Sequence, residues 1–189
     1  MSIGVRNIEH VDEAKFVALY RRYSRQVQAY CARRTSAARV GDAVAETFLV
    51  AWRRIDQVPD GEAALPWLYA VAYRVLSHQW RHRARTQRLH DRLRGMADLE
   101  PPGPDVLVVK SEEYRTVLKA ASRLRPVDQE ILRLTLWEGL AHADVANVLG
   151  VEPGVVKQRA YRARRNLAAE YMKLTKDEQP PAARKGGGS

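Results

Sequence analysis

The stretch from Gly150 to Leu167, GVEPGVVKQRAYRARRNL, decides how the C-terminal part of this chain folds. Gly150 can adopt the positive φ that closes a tight turn. An apolar stripe for packing then recurs at i, i+4, i+7 and i+11, formed by Val156, Ala160, Ala163 and Leu167. Five cations and no acid lie between Lys157 and Arg165. Because like charges four residues apart repel each other, this pattern predicts a helix with an anionic partner.

The residues before Gly150 complete a helix-turn-helix. The segment Ala141–Leu149 has helical periodicity, so two helices flank the predicted turn. The face opposite the apolar stripe and its flanks suit the major groove of DNA, because Arg pairs with guanine, Gln with adenine and Lys with phosphates. Its candidate residues are Val155, Lys157, Gln158, Arg159, Tyr161, Arg162, Arg164 and Arg165. The alternative interpretation is a solvent-exposed basic helix that binds no partner.

A second basic segment interleaves aromatic side chains with cations, a pattern typical of single-stranded nucleic-acid binding. Its candidate residues are Trp67, Tyr69, Tyr73, Arg74, Ser77, His78, Arg81 and Arg85. Tyr69 and Tyr73 are predicted to be exposed, because they lie on the side of the helix away from Leu68 and Ala72. Trp67 and Trp80 are equally compatible with a place in the core.

Helical periodicity extends over most of the chain, so the predicted fold is all-α: two small helical bundles joined by a flexible linker. We predict an N-terminal bundle over 11–90, a Pro- and Gly-rich linker over 91–110, the helix-turn-helix domain over 111–175 and an unfolded tail over 176–189. Asp42 is the predicted N-cap of a second helix. That helix is expected to bury Ala45, Phe48, Leu49, Trp52 and Ile55.

The composition restricts the classes of function. A net charge of +10 over 189 residues favours nucleic acid or an anionic membrane surface as partner. No apolar run is long enough to cross a bilayer, no signal peptide is visible and Cys31 is alone, so we expect a cytoplasmic protein. His78 and His82 lack a carboxylate or thiolate that would complete a metal shell. We therefore expect no metal, no cofactor, no catalytic residue and no enzymatic activity.

Three ordered segments carry a resemblance to a known family. They are DAVAETFLVAWRRI (42–55), LPWLYAVAYRVLSHQWRHR (65–83) and the segment 124–167 that ends in the helix-turn-helix. In this order and spacing they resemble a bacterial RNA polymerase sigma factor of the extracytoplasmic-function (ECF) class, which keeps only domains 2 and 4.

The resemblance implies partners and roles. Core RNA polymerase would be bound through the β′ clamp helices and the β flap, and the clamp-binding residues would be Asp42, Glu46, Thr47, Phe48 and Trp52. In promoter DNA, the loop Asp56–Leu65 would take an unstacked −10 base and the helix Trp67–Arg85 would hold the opened −10 strand. The helix Gly154–Asn166 would read the −35 duplex. An anti-sigma factor is a further partner that the resemblance implies.

Three residues depart from the usual family pattern. Ala45 stands where Gln is usual, Arg74 where Asn is frequent, and Gln158 where Ser is common. Two other classes of function compete with this interpretation. A stand-alone helix-turn-helix regulator would leave the aromatic-basic helix without a purpose, and a nuclease would need a carboxylate cluster for divalent metal, whereas the acids here are scattered.

Overall fold

The computed structural model describes residues 3–94 and 111–177, and within them the chain is helical with no strand. The helices are α1 (Ile3–Ala32), α2 (Ala37–Arg53), α3 (Ala64–Arg94), α4 (Glu112–Ser122), α5 (Pro126–Leu136), α6 (His142–Leu149) and α7 (Pro153–Asp177). Two short 3-10 turns, Ile55–Gln57 and Gly61–Ala63, connect α2 to α3. The all-α prediction is confirmed. Most of the predicted linker and tail lies outside the described residues.

α1, α2 and α3 pack against one another around an aromatic and aliphatic core. α1 contributes Tyr23, Val27 and Tyr30 at the spacing that the sequence predicts, and α3 contributes Leu68 and Ala72. Burying side chains of this size stabilises the fold by about 1.5–3 kcal/mol each for the larger aliphatic groups. This bundle places one face of α2 at the surface, together with Arg74, His78, Trp80 and Arg81 of α3.

α2 corrects two predictions. Its N-cap is Ser36, with extended φ and ψ of −67° and 152°, so the helix begins at Ala37 and its N-cap lies six residues before the predicted one at Asp42. The Ala37–Ala38 pair favours this earlier start because Ala is the strongest helix former. The buried stripe is also rotated from the predicted one. Phe48 and Ile55 are buried as predicted, but the other buried residues are Ala43, Thr47 and Ala51, whereas Ala45, Leu49 and Trp52 are exposed.

α4, α5 and α7 form a second group of packed helices. Ser111 caps α4 by accepting a hydrogen bond from the Tyr114 backbone N–H at 3.3 Å, and Pro126 occupies the first turn of α5. Leu124, Leu132 and Ala163 pack together, with Leu167 against them. Leu136 is exposed, because α5 ends at this residue and its side chain points to solvent.

The described residues divide into two compact units. One contains α1, α2, α3 and the segment Ala143–Glu152, and the other contains α4, α5 and α7. The sequence predicts a single C-terminal domain over 111–175, which would include the segment Ala143–Glu152. The predicted domain limits therefore stay a prediction.

Candidate nucleic-acid and protein interfaces

α7 has the two faces that the sequence predicts. Val156, Ala160 and Ala163 are buried at i, i+4 and i+7, and Leu167 continues the stripe as a partly buried residue. Before α7, Gly150 has φ of 67° and the Val151 N–H donates to the Ala146 carbonyl oxygen at 3.0 Å. The chain therefore makes a tight turn before α7 begins at Pro153.

The opposite face of α7 is polar, basic and open to solvent. Tyr161 is 69% exposed. The other exposed members of the predicted set are Val155, Lys157, Gln158, Arg162, Arg164 and Arg165. Within the part of the chain that the structure describes, none of these four cations forms an ion pair. Their charge is therefore free to meet an external anion.

Arg159 differs from the other cations of α7. Its Nη1 lies 3.6 Å from Oδ1 of Asp128 on α5, and the two side chains are 40% and 16% exposed. A partly buried ion pair restrains a long side chain that would otherwise move freely in solvent. Its contribution to the stability of the fold is small, about 0–1 kcal/mol for a surface pair. The ion pair therefore holds the Arg159 guanidinium toward α5, beside the predicted DNA-facing surface.

α3 exposes half of the second predicted set. Arg74, His78, Arg81 and Arg85 are exposed, and Trp67, Tyr73 and Ser77 are partly buried. Trp80, which the sequence left undecided, is 50% exposed. Trp80 lies seven residues after Tyr73 and three after Ser77, so it shares their face of the helix. This spacing in the sequence could have identified Trp80 as a further site residue.

Tyr69 corrects the prediction of exposure. It is only 3% exposed, and its ring stacks on that of Tyr30, with centroids 4.7 Å apart and an interplanar angle of 19°. The Arg34 guanidinium carbon lies 3.6 Å from the Tyr30 ring centroid. All residues from Leu68 to Ala72 are buried, because this part of α3 contacts α1, α2 and the turn Gly61–Ala63. Tyr69 is therefore a core residue.

Two cations of α3 and α2 influence each other. Burial, and secondarily the like charge of Arg39 on α2, lower the pKa of the Arg83 guanidinium below its ordinary value. Both side chains are partly buried, so they differ from the exposed cations Arg74, Arg81 and Arg85.

The predicted polymerase-binding residues of α2 separate into two groups. Asp42 and Glu46 are exposed and Trp52 is 42% exposed. Glu46 accepts a hydrogen bond from the Gln79 side chain of α3 at 2.9 Å. The other two residues, Thr47 and Phe48, are buried, and their part in polymerase binding stays a prediction.

The buried pair has a structural role. The Thr47 hydroxyl donates to the Ala43 carbonyl oxygen at 2.7 Å, and the Phe48 ring makes edge contacts with Tyr20 and Phe16 at centroid distances of 4.8 and 6.3 Å. Beside them, Leu49 is exposed although the sequence predicted a buried position. The exposed surface of α2 therefore includes Asp42, Glu46, Leu49 and Trp52.

Residues 3–94 and 111–177 hold neither a candidate metal site nor a candidate membrane span. These residues contain no group of three His, Cys, Asp or Glu side chains arranged to hold a metal ion. None of their helices is long and apolar enough to cross a membrane.

Comparison with known proteins identifies the family. The model of sigma-70 region 2 matches residues 19–86, and the model of sigma-70 region 4 matches residues 114–167. Together these matches cover α2, the exposed helical face of α3 and the turn and basic face of α7. The chain therefore belongs to the sigma-70 family of RNA polymerase sigma factors, in the ECF class.

Individual relatives agree with this assignment. The chain is 31% identical to the ECF RNA polymerase sigma factor BldN of Streptomyces coelicolor over 88% of its own length and 66% of that protein's length. It is 33% identical to the RNA polymerase sigma factor RfaY of Xanthomonas campestris over 69% of its length, but spans only 34% of that protein. The fold is similar to that of sigma factor RpoE in complex with the anti-sigma factor NepR from Bartonella quintana. That match has a TM-score of 0.61 at 21% identity and covers 92% of this chain and 99% of the other.

Proposed function

We propose that this chain is a dissociable promoter-specificity subunit that binds core RNA polymerase and directs initiation from promoters with a −35 and a −10 element. The observation that carries the proposal is the open basic face of α7 over its buried stripe, in a chain whose region 2 and region 4 matches follow in order. The chain performs no bond-making step in this role and acts in the cytoplasm, where polymerase and promoter meet.

The −35 duplex is read by α7. Gln158 and Arg162 lie on its exposed face, and their amide and guanidinium groups can bond to base edges in pairs. Lys157, Arg164 and Arg165 flank them and neutralise phosphates, which sets the position and orientation of the helix. Arg159, which is held by Asp128, contributes charge at the edge of the surface.

The opened −10 strand is held along α3. Tyr73 and Trp80 offer rings on which bases stack, and Arg74, His78 and Arg81 lie exposed beside them for the backbone. Stacking of one base is worth about 1–3 kcal/mol, which is comparable to the few kcal/mol that unstacking a base costs. Binding energy alone is therefore sufficient to trap a transiently opened strand without nucleotide hydrolysis.

Core polymerase is bound by the exposed surface of α2. Asp42 and Glu46 supply charge, and Leu49 and Trp52 supply apolar area for the β′ clamp helices. Thr47 and Phe48 support this surface from inside. We extend the β flap and an anti-sigma factor to this chain as further partners, the latter because the structurally similar RpoE was solved with one.

Co-elution with core polymerase that lacks other sigma subunits tests the proposal. We expect a stable one-to-one complex that Trp52→Ala weakens by about 2 kcal/mol, the scale of an interface hot spot. Met172→Ala, which removes another exposed apolar side chain, is the matched control and leaves the complex intact. Failure of the native chain to bind polymerase, with duplex DNA still bound, favours a stand-alone helix-turn-helix regulator instead.

A further inference from the structure

The connection between α2 and α3, which we call the α2–α3 loop (residues 54–63), is anchored at its apolar positions. Ile55 and Val58 are buried, whereas Asp56, Gln57 and Asp60 are exposed. Each of the two 3-10 turns closes with a backbone hydrogen bond, from the Val58 N–H to the Ile55 oxygen and from the Ala64 N–H to the Gly61 oxygen. The loop therefore has a defined backbone course between its two turns.

Two side chains of α1 hold backbone carbonyls of this loop. The buried Tyr23 donates its hydroxyl hydrogen to the Gly61 carbonyl oxygen at 2.8 Å. Lys15 donates from Nζ to the Val58 carbonyl oxygen at 3.2 Å and lies 3.5 Å from Oδ1 of Asp60. Tyr23 and Lys15 are eight residues apart, which places them on one side of α1. They fix the loop at two points three residues apart.

Gly61 sets the direction of the chain between these anchors. Its φ is 65°, a region that other residues enter only with strain. A Cβ at Gly61 would meet no atom within 4 Å, so the requirement for glycine comes from the backbone and not from crowding. The backbone conformation of the loop is therefore fixed by Gly61 together with the two anchoring side chains.

We propose that Tyr23 and Lys15 are positioning residues that hold the α2–α3 loop in its base-receiving shape before DNA arrives. The inference rests on the proposed function and on the role that the family resemblance implies for this loop, which would take an unstacked −10 base. Ordering the backbone of a free residue costs conformational entropy. Because the two side chains of α1 order the loop when the chain folds, strand capture no longer carries this entropic cost. Affinity for the extruded base therefore rises, whereas recognition of the −35 duplex is unaffected.

The variants for the test remove only the anchoring groups. Tyr23→Phe deletes the hydroxyl and keeps the ring in the core, and Lys15→Met keeps an unbranched stem without the donor. Lys15→Arg retains a donor and tests rescue. Tyr20→Phe is the matched control. Tyr20 lies one turn from Tyr23, and its ring packs against Phe16 and Phe48 and not against the loop.

The probe is a single-stranded −10 oligonucleotide selected from a random pool by the native holoenzyme. We expect Tyr23→Phe and Lys15→Met each to weaken its binding about fivefold, the equivalent of one hydrogen bond. Amides of the α2–α3 loop should exchange hydrogen faster in both variants. Polymerase co-elution and −35 duplex binding should be unchanged, Lys15→Arg should recover most of the affinity, and Tyr20→Phe should behave as the native chain.

Three results would overturn the inference. Native-like capture by Tyr23→Phe and Lys15→Met together would show that anchoring plays no part. Equal losses in strand capture, duplex binding and polymerase binding would show that the two residues only stabilise the bundle. If the native holoenzyme selects no −10 strand, the proposed function itself fails. Hydrogen exchange of the loop tests the anchoring separately, because an unchanged rate in both variants would show that Tyr23 and Lys15 do not hold the loop.

Discussion

Arg159 and Arg162 lie on neighbouring turns of α7 and carry the same charge, but the Asp128 carboxylate restrains only Arg159. A guanidinium that is free to align with a base edge reads sequence, whereas one that is held beside another helix adds mainly electrostatic attraction. The tertiary contact thus separates two residues that the sequence treats alike.

Arg162→Ala should cost about 1–3 kcal/mol of −35 affinity and relax the base preference at one position. Arg159→Ala should weaken binding more evenly across sequences, because its guanidinium lies beside Asp128. Duplex-binding titrations against single-base variants of the selected −35 element measure both effects. Arg115→Ala, an exposed cation on α4, is the control. An Arg162→Ala loss of equal size on random duplex would make Arg162 a phosphate contact.

Tyr69→Ala should destabilise the first bundle by about 3–5 kcal/mol, the usual cost of truncating a buried aromatic side chain. The stacked pair with Tyr30 is lost and a cavity remains between α1 and α3. Native-state hydrogen exchange of α1 and α3 amides reports the loss directly. Tyr73→Ala, at a partly buried position four residues later, should destabilise less. Equal effects of the two variants would contradict the assignment of Tyr69 to the core.

At the scale of elements, α2 and α7 show when a periodic sequence pattern is sufficient to predict which face of a helix is buried. α7 has one apolar stripe with charged residues around the rest of the wheel, so only one orientation buries it. α2 has apolar residues on several sides, and its contacts with both α1 and α3 select the small face with Ala43 and Ala51. Larger side chains, Leu49 and Trp52, are then left at the surface.

The turn before α7 depends on one glycine. Gly150→Ala should cost about 1–2 kcal/mol, because an L-residue is strained at φ of 67°, while its Cβ would meet no neighbour. Gly154→Ala adds the same methyl group within α7, where it also has open space, and should stabilise by up to about 1 kcal/mol. Amide exchange at Val151 and in α6 measures the change. Equal effects of the two substitutions would show that the turn tolerates other residues.

At the scale of the whole molecule, the net charge of +10 predicts a strong salt dependence of DNA binding. The logarithm of the association constant should fall linearly with the logarithm of salt concentration, with a slope of about −0.9 for each phosphate neutralised. Arg164→Ala should reduce the magnitude of that slope by about 1. Titrations of the holoenzyme on promoter duplex at several salt concentrations measure it. An unchanged slope would place Arg164 away from the phosphates.

The sequence alone determined the all-α class, the helix-turn-helix signature, the basic face of α7 and the family, because these follow from periodicity, turn residues and local charge. Tertiary structure decided which side chains are accessible. Tyr69 and Thr47 entered the core because the segments that carry them contact neighbouring helices. It also decided the long-range pairs, Tyr23 with Gly61 and Arg159 with Asp128. Such pairs depend on how helices distant in sequence are brought together, and no local pattern encodes that.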